Sequence, residues 1–153
     1  MKSKHSGTDE TDRRILLELR RDCRRSYREL AKATGMSPAA LIERMRRLES
    51  EGIITGYLAN FDYLRLGFEF MAIVQLSIRG DLLEIQQRIS ELQGVAAVYD
   101  TTGQYDSTAI LMCRSRNELS SLVKRILAIQ GVEKTNTNVV LNVVKRLEEF
   151  KGI

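Results

Sequence analysis

The sequence predicts an α+β chain in two parts. A winged helix-turn-helix is expected over residues 1–60 and a ferredoxin-like βαββαβ domain, an αβ-sandwich, over 68–153, with a hinge at 61–67. Three observations carry this prediction. Two short capped helical patterns are separated by only Gly35-Met36-Ser37. A helix-glycine-strand pattern recurs after 37 residues in the second part. The net charge of +4 falls entirely within the first 60 residues, which hold 13 Lys+Arg against 9 Asp+Glu; the remaining 93 hold 11 of each.

The first helix is expected from Glu10 to Arg21. Asp9 is its N-cap, Asp12 places a carboxylate in the first turn, and Ile15, Leu16 and Leu19 form its apolar stripe. The second starts at Ser26-Tyr27-Arg28-Glu29, a capping box in which hydroxyl and carboxylate satisfy each other's backbone amides, and Gly35 ends it. The third has Ser37 as cap and Pro38 at the first helical position, where no N–H is needed, and runs to Ser50. Leu41, Met45 and Leu48 share the face that packs on the first helix. The opposite face shows Ala39, Ala40, Glu43, Arg46 and Arg47, with Arg44 at its edge and Ser37 at its start. Small leading side chains let a backbone approach base edges, and the arginines behind them suit guanine edges or phosphates. A solvated charged face is the plain alternative; the helix spacing and the segregated charge favour binding to double-stranded DNA. Ile53–Ala59 reads as a short hairpin or wing.

In the second part, Leu82, Ile85, Arg88, Ile89, Leu92, Gln93, Gly94 and Val95 are matched by Leu119, Leu122, Arg125, Ile126, Ile129, Gln130, Gly131 and Val132. A β-rich run, residues 68–78, precedes the first copy, and Ser107–Cys113 precedes the second. Phe68, Phe70, Ala72, Val74, Leu76 and Ile78 alternate toward the helices. Met71, Ile73, Val140 and Val144 are expected to point away and to be covered by a second copy of the chain in a homodimer.

Composition narrows the chemistry. Apolar residues make up 43% and charged residues 29%, as in a globular protein. No apolar run reaches the ~18 residues of a membrane span, and the polar start Met1–Gly7 lacks a secretory h-region, so a cytoplasmic protein without membrane contact is expected. Cys23 and Cys113 read as buried, reduced thiols, and two thiols make neither a disulfide framework nor a four-ligand zinc site. His5 is the only histidine and lies in the polar tail, which disfavours imidazole catalysis. No GxGxxG, phosphate loop, HExxH or EF-hand pattern occurs. The expectation is a non-enzyme with no catalytic residues, no metal and no cofactor. One loop stands out: Gly103-Gln104-Tyr105-Asp106, preceded by Tyr99, Thr101 and Thr102, with Thr135-Asn136-Thr137-Asn138 opening the last strand. It is either a plain hairpin turn or part of a polar ligand site at one sheet end.

These residues together resemble the Lrp/AsnC (leucine-responsive, feast/famine) family of transcriptional regulators, from about Thr8 to Phe150. The carrying segments are Asp9–Leu16, Ser26–Ala31, Gly35–Pro38, Glu43–Glu49, Gly52–Tyr57, Gly103–Asp106, Gly131-Val132 and Thr135–Thr137. The resemblance implies a dimer that binds DNA through the N-terminal domain. It also implies assembly through the C-terminal domain, often to octamers, and a small effector, usually an amino acid, held between dimers. Carried over by position, the effector site uses Tyr99, Gly103, Tyr105, Asp106, Thr135 and Thr137. Asp106 is then either the partner of an α-ammonium group or the residue that orders the loop. Cys23 stands where the family more often has Gly or Ala. Two other readings remain on this fold: an enzyme similar to sirohaem decarboxylases, and an architectural DNA-binding protein with little sequence preference.

Overall fold

The computed structural model describes residues 7–146 and 149; His5 and Phe150 lie outside them. The chain divides into two compact units, one reaching Asn60 and joined by Arg146, the other spanning Phe61–Lys145. Residues 61–67, expected as the hinge, fall within the second unit.

The first unit holds three helices, α1 (Glu10–Arg21), α2 (Tyr27–Thr34) and α3 (Pro38–Ser50). Their ends follow local chemistry. Asp9 and Asp12 form a reciprocal capping box, as do Ser26 and Glu29, and the Ser37 hydroxyl accepts from the Ala40 amide. Gly35 ends α2 at φ 71°, a left-handed position that costs glycine little. Ile15, Leu30, Ala31, Leu41, Met45 and Leu48 bury their side chains in one cluster, completed by Leu16, Leu19, Met36, Ile53 and Ile54. Full burial of each large side chain stabilises the unit by about 1.5–3 kcal/mol. Over Ile53–Ala59, expected as a short hairpin or wing, no paired strands form, because the Ile53 and Ile54 amides both donate back to the Leu48 carbonyl. Their side chains close the helical core instead, and the Tyr57 hydroxyl donates to Glu49 at 2.7 Å.

The second unit is β1 (Phe70–Ile78), α4 (Leu82–Ser90), β2 (Val95–Asp100), β3 (Ser107–Cys113), α5 (Arg116–Leu127) and β4 (Val132–Val139). The sheet is antiparallel in the order β2-β3-β1-β4. Ala72, Val74, Leu76, Ala109, Leu111 and Cys113 pack with Ile85, Ile89, Leu119, Leu122 and Ile126 of the helices. The far face is uncovered among the described residues. Met71 pairs with Met112 and Ile73 with Ile110, and Val140 extends the row through its amide to the Met71 carbonyl. Val144 is not part of this face: β4 ends at Val139, and Val144 lies beyond it, 91% exposed. Phe68 also departs from the expected alternation. It precedes β1, meets Tyr63 edge-on at 6.1 Å and lies under the Arg114 guanidinium at 4.7 Å. The hinge is thus a closed turn, with Leu66, Gly67 and Phe68 amides bonded to Asp62, Leu64 and Tyr63 carbonyls. Both cysteines are free thiols, but only Cys113 is buried; Cys23 is exposed, because it lies in the turn after α1.

Candidate functional site

The exposed face of α3 carries Ser37, Ala39, Ala40, Glu43 and Arg46. The small residues lead and the charged pair follows one turn later, so the helix start is the part a groove can admit closely. Arg44 and Arg47 behave differently. Arg44 Nη1 donates to Asp9 Oδ2 at 2.6 Å and to Asp12 Oδ1 at 2.9 Å, while Arg47 Nη2 donates to Asp12 Oδ2 at 2.5 Å. The Asp12 side chain has no solvent exposure, and those of Arg44 and Arg47 are 31% and 37% exposed. Arg47, expected on the reading face, and Arg44, expected at its edge, thus also tie α3 to the start of α1. Burial pushes the Asp12 carboxyl up, but the Arg47 guanidinium, the Asp9 amide and Arg44 outweigh it and hold it at about 2. Arg44 is raised by its bond to Asp9 and then to Asp12, and Arg47 by its bond to Asp12.

Two exposed cations on α2, Arg28 and Lys32, were not singled out from the sequence. Their i,i+4 spacing on one helix face was the available signal. Lys32 borders an open trough that also takes in Asp22, Arg24, Arg25 and Glu29.

A second recess, of about 420 Å³, lies on the uncovered sheet face and is lined by Gln75, Thr101, Thr102, Gln104, Tyr105, Thr108 and Asn136. Strand register explains the set. Gln75 pairs with Thr108 on one side and Asn136 on the other, and Asn136 Nδ2 donates to Gln75 Oε1 at 3.1 Å. The loop between β2 and β3 is held by the Thr101 hydroxyl on the Tyr105 carbonyl and the Ser107 hydroxyl on the Tyr99 carbonyl. Of the expected effector residues, only Tyr105 lines this recess. Tyr99 shares the face, opposite Thr108, half exposed. Gly103 is the open loop apex at φ 121°. Asp106 Oδ2 accepts the Ile78 amide at 2.8 Å and its own amide donates to the Leu76 carbonyl, so it anchors the loop to β1.

Thr135 and Thr137 pair with Leu76 and Val74 and so lie on the helix side of the sheet, away from the recess. The cause is a bulge between Ser77 and Ile78: Ile78 pairs with Val132 but Ser77 with Lys134. That extra residue inverts the alternation and brings Asn136 to the recess instead. Asn136 belongs to the polar run 135–138 expected at this sheet end, whereas Gln75 and Thr108 were missed; a lone amide within the apolar run 70–76 was the signal for Gln75. The described residues contain no group of three or more His, Cys, Asp or Glu able to hold a metal, and no helix among them is long and apolar enough to cross a membrane.

Comparison with known proteins follows the same division. Residues 8–55 match the family described as winged helix-turn-helix DNA-binding, and residues 71–150 match the Lrp/AsnC ligand binding domain. An uncharacterized HTH-type transcriptional regulator of Pyrococcus furiosus is 40% identical over 94% of this chain and 96% of its own. The regulator FL11 of Pyrococcus abyssi is 32% identical over 93% and 95%. The structure of AsnC from E. coli is similar at TM-score 0.84, with 29% identity over 93% of this chain and 99% of that one. A transcriptional regulator of Neisseria meningitidis, solved as a complex with L-Met, gives TM-score 0.86 and 26% identity over 92% and 94%.

Proposed function

Because the chain belongs to the Lrp/AsnC family of transcriptional regulators, we propose that it reads specific DNA sites as a dimer and that a free amino acid alters that binding. The observation that carries the reading is the exposed face of α3, with Ala39 and Ala40 leading and Glu43 and Arg46 following, while Arg44 and Arg47 are held by Asp12. Arg46 suits guanine, whose O6 and N7 accept a bidentate guanidinium, and Glu43 suits the cytosine amino group. Two such helices in a dimer address successive major grooves about 34 Å apart. Met71, Ile73, Ile110 and Met112 form the apolar patch on which a second copy would pack, and further assembly to an octamer follows the family resemblance.

The amino acid is assigned to the recess beside the 101–106 loop. Its lining of amides and hydroxyls offers hydrogen bonds, and two structural neighbours are described as complexes with L-methionine. An effector bound there changes DNA affinity only by favouring one assembly or conformation over another.

Selection from random-sequence duplexes tests the DNA reading. The wild type should enrich one site, and R46A should lose preference at a single G·C pair by about 1–3 kcal/mol without changing oligomer size. Absence of any enriched site would leave only sequence-independent binding and refute it. Repeating the binding with each amino acid added tests the effector assignment.

A further inference from the structure

The ion-pair cluster behind α3 has two carboxylates that are not equivalent. Asp12 is closed to solvent, and both its oxygens are taken: Oδ1 by Arg44, Oδ2 by Arg47 and by the Asp9 amide. Asp9 is 51% exposed, and its two oxygens have separate duties. Oδ1 accepts the Asp12 amide as the helix cap, and Oδ2 accepts Arg44. Arg44 meets both carboxylates through the same nitrogen, so Asp12 alone can keep the side chain in place if Asp9 lets go. Arg44 also lies at the edge of the helix face that carries Glu43 and Arg46. An exposed carboxylate oxygen on such an arginine offers the same charge and the same acceptor as a DNA phosphate oxygen.

We propose that Arg44 is a phosphate contact masked by Asp9 in the free protein: Asp12 positions the guanidinium, and DNA phosphate displaces Asp9 from it. This rests on the reading that the exposed face of α3 meets DNA. The device lowers the affinity for any polyanion at a distance, since one cation per subunit is already neutralised. It releases that cation only when the helix is seated closely enough for a phosphate to take the place of Asp9. Asp9 is then a positioning residue for the helix start through Oδ1 and a competitor for the ligand through Oδ2.

Two substitutions separate these roles. D9N keeps a good capping oxygen, because Asn caps as well as Asp, but removes the charge that masks Arg44. E10Q removes an equal charge one residue away, from a carboxylate 81% exposed whose arginine, Arg13, is 3.9 Å distant. The full-length proteins are compared by fluorescence anisotropy on a labelled pool of random-sequence duplexes across a salt series.

D9N should bind more tightly than E10Q, and its plot of log affinity against log salt should be steeper by about 0.9 per subunit. The gap between the two variants then widens by about eightfold per subunit, or about sixtyfold for a dimer, for each tenfold drop in salt. E10Q should keep the wild-type slope, and D9N combined with R44A should lose the gain. Coinciding affinities and slopes for D9N and E10Q, with wild-type binding intact, would overturn the masking alone. Failure of the wild type to bind the pool even at low salt would overturn the reading of α3 as the DNA face, and the masking with it.

Discussion

Replacing Asp12 with alanine should loosen the helical unit and leave the sheet unit untouched. The carboxylate is wholly buried and accepts from two arginines and one backbone amide. Breaking a buried ion pair by deleting one partner typically costs 3–5 kcal/mol, because the other charge is left behind. Here the two arginines are about one-third exposed and can recover water, which places the cost at the lower end, about 3 kcal/mol. The Asp9 amide also loses its acceptor, which is part of the same loss. A change of about 3 kcal/mol is about a 150-fold change in the opening equilibrium. Hydrogen exchange read by peptide mass spectrometry reports it by segment. Protected amides of α1 and α3 should exchange about 150-fold faster in D12A, whereas those of β1 and β3 should keep their wild-type rates and serve as the internal reference. Acceleration of less than about fivefold in α1 and α3, or equal acceleration in β1 and β3, would show that the Asp12 cluster does not hold the unit together.

The same carboxylate sets an acid limit. Its folded value of about 2 lies below the ordinary 3.8, so its contribution is complete above about pH 4 and is lost as pH falls through about 2. After discounting for the part-exposed arginines the loss is on the order of 1–2 kcal/mol, and urea midpoints of D12N should lack that segment of the pH curve. Gly131 and Gly103 both have positive φ, but a Cβ on Gly131 would sit 2.4 Å from Ile85 Cδ1 and 2.7 Å from the Arg79 carbonyl, whereas one on Gly103 meets nothing within 4 Å. G131A should therefore cost more than about 3 kcal/mol and G103A about 1, which thermal unfolding will rank; equal losses would refute the packing argument. Asp106 bonds the Ile78 amide, an interaction that asparagine can keep. D106N should retain the amino-acid response in DNA-binding assays and D106A should lose it, and equal impairment would assign the carboxylate to an ammonium group of the ligand instead.

What the sequence disclosed was mostly local. Asp9, Ser26, Gly35, Ser37 and Pro38 determine helix ends through contacts within four residues, and all five occupy the positions their chemistry requires. The βαββαβ order was legible for a similar reason, since each copy of the repeat carries its own apolar periodicity. The misreadings arose where a distant partner decided the outcome. Arg44 and Arg47 meet carboxylates more than thirty residues away, which no helical periodicity reveals. Ile53 and Ile54 look like strand residues, yet the end of α3 captures their amides. The parity of Thr135, Asn136 and Thr137 depends on one bulged residue, which the sequence of the strand does not reveal.

The duplication in the second unit has a topological consequence. The strands of each copy are never neighbours: β3 separates β1 from β2, and β1 separates β3 from β4. The two glycine stops repeat this exchange, since the Gly94 carbonyl accepts the Met112 amide of the second copy and the Gly131 carbonyl accepts the Arg79 amide that follows the first strand. Each half thus completes the other and has no sheet of its own. A chain cut in the 101–106 loop would yield two fragments, neither of which has a hydrogen-bonded partner for its strands until the other arrives.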